Sequence, residues 1–362
     1  MKKPERFYID IHVLQTVPPS CVNRDDTGSP KTAVYGGVTR ARVSSQAWKR
    51  AVRLAFREIL TPDQVGTRTK KLLDQVTDTV LARDPSLNRE KAEKAAEKAL
   101  EKAGFSLKKA GELDVLYFIS EAQTRALAEL ALHREEDKNA YKTALKENPS
   151  VDQVLFGRMV ADDRSLNYDA AAQVAHSIST HAVQNEFDYF TAVDDRAPED
   201  NAGAAHIGTA EFNSATLYRY ATVNVSELAE WLAGDTPNAV KGFVEAFCRS
   251  MPDGKQNSFA NRTLPDAVYV AVRNDQPVNL AGAFEKPVRT GFDGGCFAAS
   301  ERALANYAKQ TYELFATEPV LSLCVSRGEA LAGIAEAMNL PGMLERVGDY
   351  VAERLAAGGA GT

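Results

Sequence analysis

The 362-residue sequence predicts an α+β fold, an antiparallel sheet backed by helices and interrupted by a large helical insertion. Three observations predict it. Residues 7–14, 174–183, 213–225 and 266–273 carry the apolar and β-branched patterning of strands. A strongly two-faced helix follows the first of these, and further helices follow the third. Between the first helix and the second strand, residues 62–161 change texture to polar, Ala-, Glu- and Lys-rich helix.

In order, FYIDIHVL sets Phe7, Ile9, Ile11 and Val13 against Tyr8, Asp10, His12 and Leu14. The segment PPSCVNRDDTGSPKTAVYGG is rich in Pro, Asn, Asp and Gly and reads as a surface loop. Arg40 and Arg42 then share an extended strip, and Ser44 or Ser45 supplies a helix N-cap. On a wheel of 100° per residue, Gln46, Lys49, Arg50, Arg53 and Arg57 form one stripe and Trp48, Ala51, Val52, Ala55, Phe56 and Ile59 the opposite one. Such a stripe fits a solvated helix face as well as a phosphate backbone. Its one-sidedness favours the second: from Arg24 to Arg57 the bases are Arg24, Lys31, Arg40, Arg42, Lys49, Arg50, Arg53 and Arg57, against Asp25 and Asp26.

In the insertion, NREKAEKAAEKALEKAG predicts a helix ending at Gly104, and two more helices are expected over about 112–133 and 135–146, the last aligning Lys138, Lys142 and Lys146. After the second strand, residues 191–208 read as a loop rich in Asp, Pro, Gly and Ala. Ser226 and Pro237 start two short helices. The resulting order, β-α-β-β-α-β, is that of the split βαβ or ferredoxin-like unit, which RNA-recognition modules share. Beyond Asn274 a helix near 300–315 and a strand near 320–325 are expected.

Composition sets limits. Hydrophobic content of 44% and charged content of 25% are those of an ordinary globular protein, and a net charge of −6 argues against general coating of nucleic acid while leaving room for a local basic groove. No run of 18 apolar residues and no signal-peptide core occurs, so a cytoplasmic location without membrane contact is expected. Cys21, Cys248, Cys296 and Cys324 lack CxxC spacing and read as free thiols.

For chemistry, three acidic pairs, Asp25–Asp26, Asp162–Asp163 and Asp194–Asp195, have the composition of Mg²⁺ ligands but sit in turn-like segments where Asp serves local hydrogen bonds. His176 and His181 fall on opposite faces of a strand. His206 is a candidate hydrogen-bond donor to a phosphate, or a general base. Lys255 and Gln256 in GKQNS suit phosphate or ribose, Met159 suits a wedge between bases or a core filler, and Tyr218 and Tyr220 suit base stacking or packing under a helix. No GxSxG, HExxH, Walker A or dinucleotide fingerprint occurs, and nothing points to a metal or cofactor.

The blocks IHVLQTVPPSCVNRDD, GGVTRARVSSQAWKRA, GRM, AHSISTHAV with FTAVDD, HIGTAEFNSATLYRYA and GKQ occur in that order. With them the chain resembles the type I-E CRISPR Cascade backbone subunit, the CasC family of the RAMP superfamily, from residue 7 to about 290. The resemblance implies a ferredoxin-like, RNA-recognition-like palm over 1–61 and 162–362, helical fingers over 62–161 and a thumb loop over about 191–211. It implies a non-catalytic subunit that stacks head to tail along a CRISPR RNA beside other Cascade subunits and presents the guide to target DNA in antiviral defence. Arg24, Lys31, Ser44, Gln46, Lys49, Arg50 and Arg53 would grip the guide, joined by Lys255 and Gln256; Met159 would be the wedge, and Lys138, Lys142 and Lys146 would face DNA. Relatives can carry a basic residue after the paired glycines where this chain has Val38, so that contact is missing or moved to Arg40. The alternative, from a different class, is a metal-dependent endoribonuclease of the same superfamily.

Overall fold

A computed structural model describes residues 6–108, 111–160, 163–193, 196, 203–290 and 294–359, the side chains of 193, 203–207 and 358–359 excepted. In chain order the elements are β1 Tyr8–Ser20, β2 Thr32–Tyr35, β3 Val38–Val43, α1 Ser45–Ile59, β4 Thr67–Thr69, α2 Leu72–Arg83, α3 Arg89–Lys102, β5 Tyr117–Ile119, α4 Glu121–His133, α5 Lys138–Lys146 and α6 Val151–Phe156. Then follow β6 Ala172–Val174, β7 Ser177–Ser179, β8 Glu186–Val193, β9 Gly203–Asn224, α7 Val225–Leu232, α8 Thr236–Arg249, α9 Gln256–Phe259, β10 Ala267–Arg273, α10 Phe297–Leu314, β11 Leu321–Ser326, β12 Glu336–Ala337 and α11 Leu340–Gly359.

The chain forms two compact units. One comprises 1–55, 174–222 and 243–362, the other 56–173 and 223–242. The second takes in α7 and the start of α8, which the sequence pattern alone assigns to the sheet.

The first unit is built on a large sheet whose strands run in the order β12-β11-β10-β1-β9-β7-β3-β2. β10 pairs antiparallel with β1, Tyr269 opposite His12, and with β11, Tyr269 opposite Cys324. β7 pairs antiparallel with β9, Ile178 opposite Tyr218, and with β3, Arg42 opposite Ile178. All seven residues of β10 are buried, the signature of a strand covered on both faces. β1 is covered likewise. Its alternation predicts a polar face, yet Asp10 and His12 are 1% and 0% exposed. Asp10 accepts from the Tyr220 hydroxyl and the Val278 amide, both at 2.8 Å, and His12 Nδ1 lies 2.9 Å from the Tyr218 hydroxyl. The polar face is thus a buried network, roofed by the segment after β10 and by α10. Tyr218 and Tyr220 belong to this packing rather than to a base-stacking surface: the His12 ring stacks near both, with centroids 6.2 and 5.1 Å away. Burial pushes the Asp10 carboxyl up to about 6 against its hydrogen bonds, and pulls His12 down to about 3.

α1 keeps the predicted polarity: Trp48, Ala51 and Val52 are buried while Arg50 is exposed. Trp48 donates from its indole to Ser177 Oγ at 2.9 Å, and the Arg219 guanidinium stacks 3.7 Å over its ring.

The second unit has a contiguous core from Leu72, Val76, Val80, Ala96, Leu100 and Leu127, among others. α3 starts at an Asn88 N-cap that accepts from the Lys91 amide and stops before Gly104, whose φ of +92° suits glycine. The helix expected over 112–133 is shorter, because Tyr117–Ile119 pairs instead with β4.

Candidate nucleic-acid interface

In the sheet unit, Asn23 and the residues around it bring the predicted cations together. Lys31 donates its amide to Asn23 O, the Ser44 amide donates to Asn23 Oδ1, and the Arg42 amide donates to Lys31 O, so loop, β3 and the start of α1 share one knot of backbone bonds. Beside it lies a small, open surface cleft lined by Ser20, Asn23, Lys31, Arg42 and Asn213. Lys31 and Arg42 are half-buried at this cleft and Arg24 is exposed. Arg42 Nε donates to Thr32 O at 3.1 Å, which leaves its terminal nitrogens available to an anion.

The GKQ loop joins the same cluster. Gly254 packs on the chain at Val22 so closely that a Cβ would come within 2.0 Å of Val22 O. Lys255 and Arg24 both act on the Cys21 thiol: burial raises it and the two cations pull it back. Lys255 follows in a left-handed conformation with φ +48°, half-buried, and Gln256 is exposed.

On α1, Gln46 and Arg50 are exposed and Lys49 and Arg53 half-buried. Ser44 is different: it is 6% exposed, and its hydroxyl accepts from the Ala47 amide at 3.3 Å as the N-cap. The Ser45 amide is satisfied by His176 Nδ1 at 3.1 Å. Ser44 thus caps α1, and His176 gains a role that alternation does not reveal. His181 likewise accepts the Thr216 amide at 3.1 Å through Nε2.

Arg40 is a correction to the sequence reading. It is fully buried. Its guanidinium donates to Tyr35 O at 3.1 Å, Ser179 O at 2.9 Å, Phe284 O at 2.8 Å and Glu285 O at 3.3 Å, consuming the donors that a phosphate would need. Burial lowers its pKa, as desolvation of a cation must. The phosphate contact absent at Val38 has not moved to Arg40.

In the helical unit, Met159 is 88% exposed while both neighbours are pinned. Arg158 exchanges both backbone bonds with Tyr168 and its guanidinium reaches Leu145 O, Leu166 O, Phe118 O and Gln123 Oε1. The Val160 amide donates to Asn167 Oδ1 at 2.6 Å. A thioether held out by such anchoring is no core filler. The three lysines of α5 do not act alike. Lys138 is exposed, Lys142 pairs with Asp163 at 2.9 Å, and Lys146 donates to Asn167 O and lies over the Tyr168 and Trp231 rings at 4.7 and 5.2 Å. Lys146 is thus turned inward, onto Asn167 and the two rings.

The segment expected as a thumb loop is largely strand. β8 pairs antiparallel with β9 from Glu186 opposite Phe212 to Val193 opposite Gly203, with Phe187, Tyr189 and Phe190 exposed. His206 falls within β9, but its side chain lies outside the described residues, as do Asp162, Asp194 and Asp195. Asp25 accepts from Thr27 and Ser29 in a turn. Asp163 accepts from Ser165, and these bonds with that from Lys142 hold its carboxyl down to about 2. Among the described residues no group of three or more His, Cys, Asp and Glu side chains is placed to hold a metal ion. No helix among them is long and apolar enough to cross a membrane.

The profile of the CT1975-like protein family, Cas_CT1975, matches residues 9–349. No curated protein matches. Among solved structures, a chain of a "CRISPR RNA-guided surveillance complex, pre-nicking" is 34% identical with a TM-score of 0.80, the match covering 95% of this chain and 100% of that one. A chain of a "CRISPR RNA-guided surveillance complex" is 32% identical with a TM-score of 0.60, over 94% of this chain and 99% of that one. A family profile spanning almost the entire sequence, together with full-length likeness to surveillance-complex chains, places this protein in the CT1975-like family of CasC-type Cascade backbone proteins.

Proposed function

We propose that the chain is a non-catalytic subunit of a type I-E Cascade, stacking head to tail with further copies along a CRISPR RNA and presenting the guide for pairing with target DNA in cytoplasmic antiviral defence. The observation that carries this reading is the cation cluster of the sheet unit: Arg24, Lys31, Arg42 and Lys255 gather around the Asn23 knot and its cleft, next to an α1 bearing Gln46, Lys49, Arg50 and Arg53. Cations set on strand and helix backbone suit a ligand held by its phosphates while its bases stay free to pair. The strand run β10-β1-β9-β7 supports a ferredoxin-like palm, the β8–β9 hairpin a thumb, the helical unit the fingers, and the projecting Met159 a wedge at a displaced base.

Lys49→Ala combined with Arg53→Ala tests it. On a single strand, each phosphate that goes without its cation lowers the slope of log K against log salt by about 0.7, so the pair lowers it by about 1.4. An unchanged slope refutes the reading. Incubation of the protein with a guide RNA and Mg²⁺ should leave the RNA intact; steady cleavage abolished by one Asp or His substitution would establish the nuclease instead.

A further inference from the structure

The cationic strip of β3 is interrupted at Val38 and Arg40, and the structure shows what lies over that interruption. The segment after β10 is laid across the β2–β3 hairpin. Tyr35 donates from its hydroxyl to Ala281 O at 3.3 Å, and Arg40 grips Phe284 O and Glu285 O. At the hairpin turn Gly36 has φ +61°, and a Cβ there would stand 1.7 Å from Glu285 O. Glycine at this position is what lets the segment approach. Further on, the Val288 amide donates to Thr180 O at 2.9 Å. Residues 285 and 288 are therefore fastened by their backbones to the hairpin and to the strand beside it. Lys286 and Arg289 are both exposed.

We propose that Lys286 and Arg289 form a further phosphate-binding site for the guide, continuing the strip of Lys31 and Arg42 over the point where Arg40 is buried. This rests on the reading of the chain as a guide-RNA-binding subunit. The ligand class is the phosphodiester backbone of single-stranded RNA, met by two cationic side chains. Arg40 is then a positioning residue: it surrenders its own donors to hold in place the segment that carries the replacements. Glu285, also exposed, works against an anion and keeps the site weaker than the α1 stripe.

The test is Lys286→Gln with Arg289→Gln in the full chain, titrated with oligouridylate over a range of salt. The expected result is a slope lower by about 1.4, with an unchanged melting temperature, and about 2.8 lower when combined with Lys49→Ala and Arg53→Ala. If the Gln pair keeps the wild-type slope while the α1 pair loses its share, this site is refuted and the guide-binding reading stands. If both pairs keep it, the guide-binding reading fails too. A Gln pair that loses self-association in sedimentation while retaining the slope would make the patch a protein contact and overturn the proposal.

Discussion

Arg40→Lys separates a structural guanidinium from an RNA ligand, because it keeps the charge and removes the shape. The wild-type side chain spreads its donors over four carbonyls, Tyr35 O, Ser179 O, Phe284 O and Glu285 O, between 2.8 and 3.3 Å away. A lysine amine reaches one or two of them, stranding the others in a site where the native side chain is 0% exposed. Each stranded buried acceptor costs about 1–3 kcal/mol, and partial rehydration of the hairpin edge brings the total to about 3–5 kcal/mol. At about 2–4 °C per kcal/mol for a unit of this size, the melting temperature should fall by roughly 6–20 °C. Differential scanning fluorimetry measures the fall, and RNA titration well below the new midpoint measures the salt slope. The slope should stay at the wild-type value. A variant that melts like wild type yet loses about 0.7 from its slope would show that Arg40 meets a phosphate in solution, and the burial argument would be refuted.

Met159→Ala should leave stability within about 0.5 kcal/mol, since the side chain is 88% exposed, while reducing the fluorescence of a 2-aminopurine placed at the displaced guide base; unchanged base stacking would remove the wedge. Lys146→Ala should destabilise the helical unit by about 1–2 kcal/mol by removing the amine from its two rings and from Asn167 O, and leave DNA affinity of a guide-loaded complex unaltered; chemical denaturation and gel shift read the two effects. Asp10 supplies a pH prediction. Its folded pKa of about 6 exceeds its ordinary 3.8, so the folded state binds the proton more tightly and stability from this group falls as pH rises from about 4 to 6. The full loss is about 3 kcal/mol, and Asp10→Asn should flatten the melting-temperature profile over that window; a profile as steep as wild type would place the titration elsewhere.

The elements most legible in the sequence were those whose cause is local. α1 follows from its two stripes, α3 from Asn88 and Gly104, and β10 from its unbroken apolar run. β2 was hidden, because four residues between Pro30 and Gly36 look like loop until β3 pairs with them. β5 was absorbed into a helix because Leu113, Leu116 and Tyr117 have helical spacing, and only pairing with β4 makes Tyr117–Ile119 extended. α11 escaped notice behind Pro341, Gly342 and Gly348; Pro341 sits in its first turn, where a missing amide costs nothing. At the site, the residue types point to phosphate chemistry, and Arg24, Arg50 and Gln256 keep the exposure that chemistry requires. What the sequence could not show was burial imposed from afar. Arg40 and Arg42 look equivalent on one strip until a segment some 240 positions later covers one of them. The local partners of Ser44 and Lys146 are hidden for a similar reason, since a hydroxyl or an amine carries no sign of the neighbour that will claim it.

The strand order has a consequence for how the chain is made. β1 pairs with β10 along Tyr8 opposite Arg273, so β1 waits for this neighbour until some 265 further residues have been synthesised. At typical elongation rates of about 5–20 residues per second that delay is roughly 15–50 s. The helical unit draws its core from residues 72–166 and can assemble during the interval. Until β9, its neighbour on the other side, has been made, Ile9, Ile11 and Val13 lie in a strand with neither partner, an open template for the same strand of another nascent chain. Production of this protein is therefore expected to depend on holding β1 apart from its copies until translation has passed β9 and then β10.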